Sequence, residues 1–377
     1  VLTNRKRSLF AVIVSMVIVN LVYGLTLPLL SIVLDSQGIS KTVIGLSIVA
    51  QASAGVVLAP LIPQLIIRAG AARVMQGAAL LAAGTLLALG IFQEVSLWFP
   101  LRFLLGASAA MLWSASESVI NELAAENWRG RLIGIYGSAG AAGFALGPLV
   151  LLITGTSGLL PFAVTAVFVV AASLPLFWLG RETKIDGADR RVSLRRIFRF
   201  VPHIMLLNFA YAAAVESFIA FFPLFGLHIG LGEARSLSLL TTFALGGVFL
   251  LLPLGWLADH MPRPRLLLAC IVFTIIGFFI LPELISHRVA GPAFVFTLGG
   301  VEGMIYTLGM VLLGQRFRGP ELAAATVLYT GMWGAGTMLG PLIVGASMDV
   351  LGDQSMPYLI ALIYVIYLPV FFLAKRR

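Results

Sequence analysis

Tyr136–Val150 reads YGSAGAAGFALGPLV, and 193 positions later Tyr329–Ile343 reads YTGMWGAGTMLGPLI. Each copy places a tyrosine seven residues before a Gly-x-x-x-Gly-Pro-Leu core. The cores are Gly143, Gly147, Pro148, Leu149 and Gly336, Gly340, Pro341, Leu342. Each lies inside an apolar run that reaches the roughly 20 residues a helix needs to cross a bilayer. A membrane-helix element repeated at half the chain length predicts two similar helical bundles. Transport is therefore the leading expectation before any chemistry is read.

Residue usage agrees with membrane burial. The chain is 60% hydrophobic and 11% charged, with a mean hydropathy of +1.02. That leaves too little polar surface for a water-soluble fold. Successive apolar runs predict twelve spanning helices, at 9–34, 43–67, 74–93, 96–121, 131–153, 159–179, 201–227, 236–257, 265–284, 291–313, 322–345 and 357–373. The first run is too long for a cleaved signal and lacks a small-residue cleavage site, so it is expected to span. The fold class expected is all-α, with a six-helix bundle over 1–180, a cytoplasmic linker over 181–200 and a second six-helix bundle over 201–377. Within the polar stretch GRETKIDGADRRVSLRRIFRF (Gly180–Phe200), Ser193–Phe200 alternates arginine with apolar residues. It is either a plain basic linker or a short amphipathic helix on anionic lipid.

The net charge of +9 is explained by topology and not by nucleic acid. With both termini inside, the basic residues fall on the cytoplasmic side, except Lys41, Arg235 and Arg288 outside and Arg102 within a span. That bias sets the orientation. Cys270 is the single cysteine, so no disulfide within one chain is expected. No Gly-x-x-x-x-Gly-Lys loop is present, so uphill work must draw on a gradient. The histidines 203, 228, 260 and 287 are scattered, which argues against a metal centre and against an enzyme.

The repeat extends past the glycine cores. Asn20 and Tyr23 of the first run recur as Asn208 and Tyr211 of the seventh, and Gly106 of the fourth matches Gly300 of the tenth. Glu216 and Glu302 fall about 16 and 11 residues into the seventh and tenth runs, near the bilayer midplane at 1.5 Å per residue. Ionisable groups at that depth survive facing water or a partner, and a midplane carboxyl can load and release protons. Each glutamate either couples protons or pairs with another helix. Tyr306 stands four residues after Glu302, on the same face, within reach of substrate or carboxyl. Arg102, Gly106, Ala109, Trp113 and Glu117 form one stripe of the fourth run. Arg102 cannot deprotonate, so it either acts electrostatically on a carboxyl or caps carbonyls. Asn20, Tyr23, Asn208 and Tyr211, with Trp113, Glu117 and Tyr306, are the candidate substrate groups, with interhelical hydrogen bonding the alternative for the Asn/Tyr pairs. The paired glycines and Pro148 and Pro341 suit close packing, either static or at helices that slide and bend.

On these residues the chain resembles the major facilitator superfamily over essentially its whole length. Gly255–Arg265, GWLADHMPRPR, is similar to the family's G-x-L-A-D-x-x-x-R-x-R loop. Arg102-x-x-x-Gly106 resembles its Arg-x-x-x-Gly signature, and the Gly-x-x-x-Gly-Pro segment resembles the antiporter motif of drug:proton exporters. Two departures stand out. The trailing Gly-Gly is Leu151-Leu152 here, and the first-half loop keeps only Arg68-x-Gly70-x-x-Arg73, with Gln64 or Ile67 at its aspartate position. The resemblance implies two pseudo-symmetric bundles whose first, fourth, seventh and tenth helices line a cavity, with the third, sixth, ninth and twelfth facing lipid. It also implies a gate in which Asp259, with Arg263 nearby, is held by Arg129 or Arg131.

The expected function is proton-coupled efflux of amphipathic small molecules by alternating access. A metabolite importer or facilitator, in which Arg102 grips an organic anion or a sugar is bound, is the second reading. A non-transport membrane protein on the same fold is the third. The partners expected are a small-molecule substrate, protons and the lipid bilayer of the inner (plasma) membrane, with no cofactor, and the protein is expected to act as a monomer.

Overall fold

The computed structural model describes residues 2–123, 129–178 and 193–375, and their regular structure is helical throughout. The chain forms α1 (Leu2–Ser36), α2 (Lys41–Leu58), α3 (Ile62–Ala69), α4 (Ala71–Ile91), α5 (Val95–Leu123), α6 (Arg129–Thr154) and α7 (Leu160–Ser173). After residues that lie outside the described set come α8 (Leu194–Phe200), α9 (Pro202–His228), α10 (Glu233–Phe249), α11 (Leu251–His260) and α12 (Arg263–Leu284). The chain ends with α13 (Ala290–Arg316), α14 (Gly319–Leu351) and α15 (Met356–Lys375). Among the described residues, 11 helices are long and apolar enough to span a membrane, or 12 if the bent pair α10/α11 counts as one span.

Prolines explain where the observed helices differ from the apolar runs. The second run breaks after Leu58, with Pro60 in the gap and Pro63 in the first turn of α3. The eighth run bends by 40° between α10 and α11. Pro253 lies in the first turn of α11, where it offers no N–H to the carbonyl of Phe249 and crowds it. Pro148 and Pro341, by contrast, lie inside the continuous α6 and α14.

Two compact units are formed, residues 1–34 with 50–187, and residues 35–49 with 188–377. The second unit thus takes in the first turns of α2. Most of the basic stretch 181–200 lies outside the described residues, but its last part is helical as α8.

The glycine cores make the same contact in each unit. In the first, a Cβ on Gly143 would meet the Val17 backbone and one on Gly147 the Gly24–Leu25 backbone, so α6 lies directly on α1. In the second, Gly336 faces the Phe209 carbonyl and Gly340 faces Ala213, so α14 lies on α9 in the same way. Small residues let the two backbones meet, and dispersion contacts then hold the pair. Gly106 and Gly300 repeat the device: α5 packs on the Gln51 carbonyl of α2, and α13 packs on Gly246 and Leu250 beside α10. Around α9 the second unit is closed on nearly every side, and residues 210–226 are buried without interruption. Phe218 stacks with Phe222 and Phe243 at 4.6 Å and meets Phe278 edge-on at 5.6 Å. A helix apolar all round belongs at such a centre.

Candidate functional site

In the second unit, burial and hydrogen bonding gather on the face shared by α9, α13, α14 and α15. Glu216 on α9 and Glu302 on α13 are 2% and 1% exposed. A carboxylate taken out of water needs a donor in its place. Glu302 has one from across the bundle: the Tyr364 hydroxyl on α15 donates to Oε2 at 2.6 Å. Its other oxygen, Oε1, is buried and accepts no hydrogen bond among the described residues. Tyr211 lies close enough to interact with both glutamates.

Aromatic rings continue from this pair. Tyr211 packs on Tyr306 at 5.7 Å and on Trp333 at 5.4 Å, and Tyr306 meets Trp333 edge-on at 5.5 Å. Tyr306 also packs on Tyr329 at 5.6 Å, whose hydroxyl donates to the Tyr306 carbonyl at 3.0 Å. Tyr306 and Trp333 are partly exposed while Tyr211 and Tyr329 are buried, so the cluster has an open side. Asn208 is part of its frame: Nδ2 donates to the Tyr329 carbonyl at 2.6 Å. That is the interhelical alternative for this residue.

In the first unit Arg102 on α5 is fully buried, with Tyr23 of α1 near enough to interact with it. Tyr23 lines a small recess with Val22, Gln51, Ser108 and Ala109. Gln51 Oε1 is buried there with no hydrogen-bond partner among the described residues. Further along the α5 stripe the Trp113 indole donates to Glu117 Oε1 at 2.7 Å, one turn away. Asn20 donates to the Met16 carbonyl of its own helix and packs beside Gly140 of α6.

The family model of the Major Facilitator Superfamily matches residues 12–239 and 204–377. The chain belongs to that superfamily. A relative, the uncharacterized MFS-type transporter YfkF of Bacillus subtilis (strain 168), is 27% identical over 352 residues, covering 90% of this chain and 88% of that one. Two solved superfamily structures share the fold at low identity. The nucleoside transporter NupG has a TM-score of 0.79 at 14% identity, covering 98% and 99% of the two chains. The D-xylose-proton symporter has 0.75 at 15%, covering 97% and 96%. This superfamily member is thus a multi-pass membrane transporter with an all-α fold of two pseudo-symmetric bundles.

Against that fold, three groups escape a reading of runs and motifs. Tyr364 lies on the twelfth run, expected to face lipid. In fact α15 is two-sided, with Ile360, Ala361 and Tyr364 fully buried and Leu362 and Ile366 47% and 67% exposed. Its lack of charge hid a buried phenol. Trp333 stands inside the repeated glycine segment, where glycine spacing dominates the pattern. The third group is a polar cluster at the far end of α9. Asp349 accepts hydrogen bonds from the backbone N–H groups of Lys41 and Thr42, both at 2.8 Å, and so caps α2 from another helix. Lys41 Nζ pairs with Asp35 at 3.1 Å and Asp353 at 3.3 Å, and His228 Nε2 lies 3.3 Å from Asp353. These residues sit at the ends of α1, α2, α9 and α14 and in the α14–α15 connection, so no single segment announces them.

Of the gate residues, Asp259 is 71% exposed and lies 3.7 Å from Arg263. The side chains of Arg129 and Arg131 are outside the described residues, so that part of the expected gate is not placed.

Proposed function

We propose that this superfamily member is a proton-coupled exporter of amphipathic small molecules, working by alternating access in the plasma membrane with both termini cytoplasmic. The observation that carries the reading is the buried Glu302, with one carboxyl oxygen on the Tyr364 phenol and the other accepting no hydrogen bond among the described residues, beside an aromatic cluster with an open side. A carboxyl arranged in this way holds a proton on the free oxygen and releases it when water or substrate arrives. Glu216 is the second carrier. The rings of Tyr211, Tyr306 and Trp333 offer flat apolar surface and π faces that suit lipophilic, weakly cationic ligands. Arg102 acts from the first unit as a fixed charge. The charge bias supports the orientation: within the second unit the exposed arginines 195, 196, 199, 316 and 318 gather around the α8 end.

Proteoliposomes carrying an imposed pH gradient test this, with tetraphenylphosphonium as the probe. Glu302→Gln and Glu216→Gln are expected to abolish gradient-driven accumulation and leave gradient-free exchange intact. Normal pumping by both variants would sink the coupling reading.

A metabolite importer is the second reading, favoured by the full burial of the Arg102 guanidinium close to Tyr23, a fixed cation that suits a carboxylate. Stabilisation by small organic acids or sugars in a thermal-shift screen, with no response to lipophilic cations, would support it.

A further inference from the structure

The proposed transport cycle uses none of the charged groups on α8, yet that helix concentrates charge and apolar surface in seven residues. Ile197 is its anchor, 3% exposed and packed with Val201, Ile204, Leu313, Phe317 and Tyr329. The anchor leaves Arg195, Arg196 and Arg199 exposed, together with Leu194 at 43% and Phe200 at 62%. Phe200 also packs edge-on against Phe317 at 5.8 Å. Phe317 is flanked by Arg316 and Arg318, both exposed, so five arginines are drawn to one end of the second unit. Ion pairs among the described residues involve Lys41, His228 and Arg263 as the basic members and none of these five.

The depth of this patch is fixed by its neighbours. The spanning helix α9 begins at Pro202, two residues after α8 ends, and the spanning helix α13 ends at Arg316. The α8 helix therefore lies where the hydrocarbon core gives way to headgroups. Exposed apolar side chains next to exposed cations that form no ion pair among the described residues match, at that level, an interfacial helix, its apolar residues entering the acyl boundary while its arginines stay among headgroups. A soluble polyanion would satisfy the arginines but leave Leu194 and Phe200 in water.

We propose that α8, with Arg316 and Arg318, binds the headgroups of anionic phospholipids. The headgroup phosphates neutralise the arginine cluster by charge-assisted contacts, and thereby tie the start of α9 and the α13–α14 connection to the membrane surface.

The test uses the full chain in nanodiscs of phosphatidylcholine doped with phosphatidylglycerol, with the phosphatidylglycerol retained per protein counted by mass spectrometry after detergent extraction. Each basic group near an anionic surface is worth roughly fivefold in affinity. The triple variant Arg195→Gln, Arg196→Gln, Arg199→Gln is therefore expected to lose enrichment by tenfold or more. The matching triple Arg→Lys variant is expected to keep most of it, since lysine holds the charge without the planar fork. Thermal midpoints in pure phosphatidylcholine report whether the variants fold. If the Gln protein does not fold, the wild-type protein decides by its own enrichment and the loss of that enrichment in high salt. Enrichment unchanged in a folded Gln variant, or equal retention of the two lipids by the wild-type protein, would overturn the proposal.

Discussion

Glu302 and Tyr364 show how much one hydrogen bond is asked to do. The carboxyl is buried, and its described donor is a phenol from the last helix. Tyr364→Phe removes only the donating oxygen. Leaving a buried acceptor without its bond costs about 1–3 kcal/mol, so the variant should melt below wild type. Adding Glu302→Ala to Tyr364→Phe should cost less than the two losses summed, because each substitution alone already removes the same contact. Additive losses would mean the bond contributes nothing. Glu216, Glu302 and Arg102 were legible because charge inside an apolar run is conspicuous. Tyr364 and Trp333 were not, since an aromatic residue in a membrane helix reads the same whether it faces lipid or a carboxyl. Asn208 shows the opposite limit: its repeat with Asn20 was visible, but its bond to the Tyr329 carbonyl spans 121 residues.

At the level of elements, the repeated glycines act by what they leave out. A methyl group on Gly340 would run into the Ala213 backbone, whereas Gly334 on the same helix has nothing within 4 Å of the corresponding position. Gly340→Ala must push α14 away from α9 and should destabilise by about 1–3 kcal/mol, in the range of overpacked cores. Gly334→Ala should be neutral or gain up to about 1 kcal/mol from helix propensity. Equal midpoints for the two variants in a thermal melt would remove the close-packing account. The helix boundaries differ from the apolar runs for a local reason: Pro60, Pro63 and Pro253 do not interrupt the apolar runs, but each deletes a backbone donor. The same residue type inside α6 and α14 did not stop those helices, so proline alone does not set the break. The bond lost at Pro148 or Pro341 is tolerated where the helix's own glycines hold it tightly against its neighbour.

The whole molecule has one consequence that the half-chain repeat hides. The stretch 35–49 belongs to the second unit although it lies early in the chain, because Asp349 caps α2 and Gly45 rests on the Pro341–Leu342 backbone. Co-expressed halves 1–187 and 188–377 should therefore co-purify, and Asp349→Ala together with Lys41→Ala should weaken the recovery of one with the other. Halves that separate cleanly, or whose recovery ignores both substitutions, would count against this packing. The amino-acid sequence by itself determined the membrane class, the two-fold repeat, the glycine contacts as a motif and the intramembrane charges. Each of these is a property of residue type at a spacing along one helix, and hydrocarbon penalises the wrong type wherever the helix stands. The tertiary structure alone decided which phenol meets Glu302, which rings border it, and which carboxylate caps α2. Those are choices among chemically equivalent side chains on different helices, and they depend on rotation and depth of packing, which no single helix encodes.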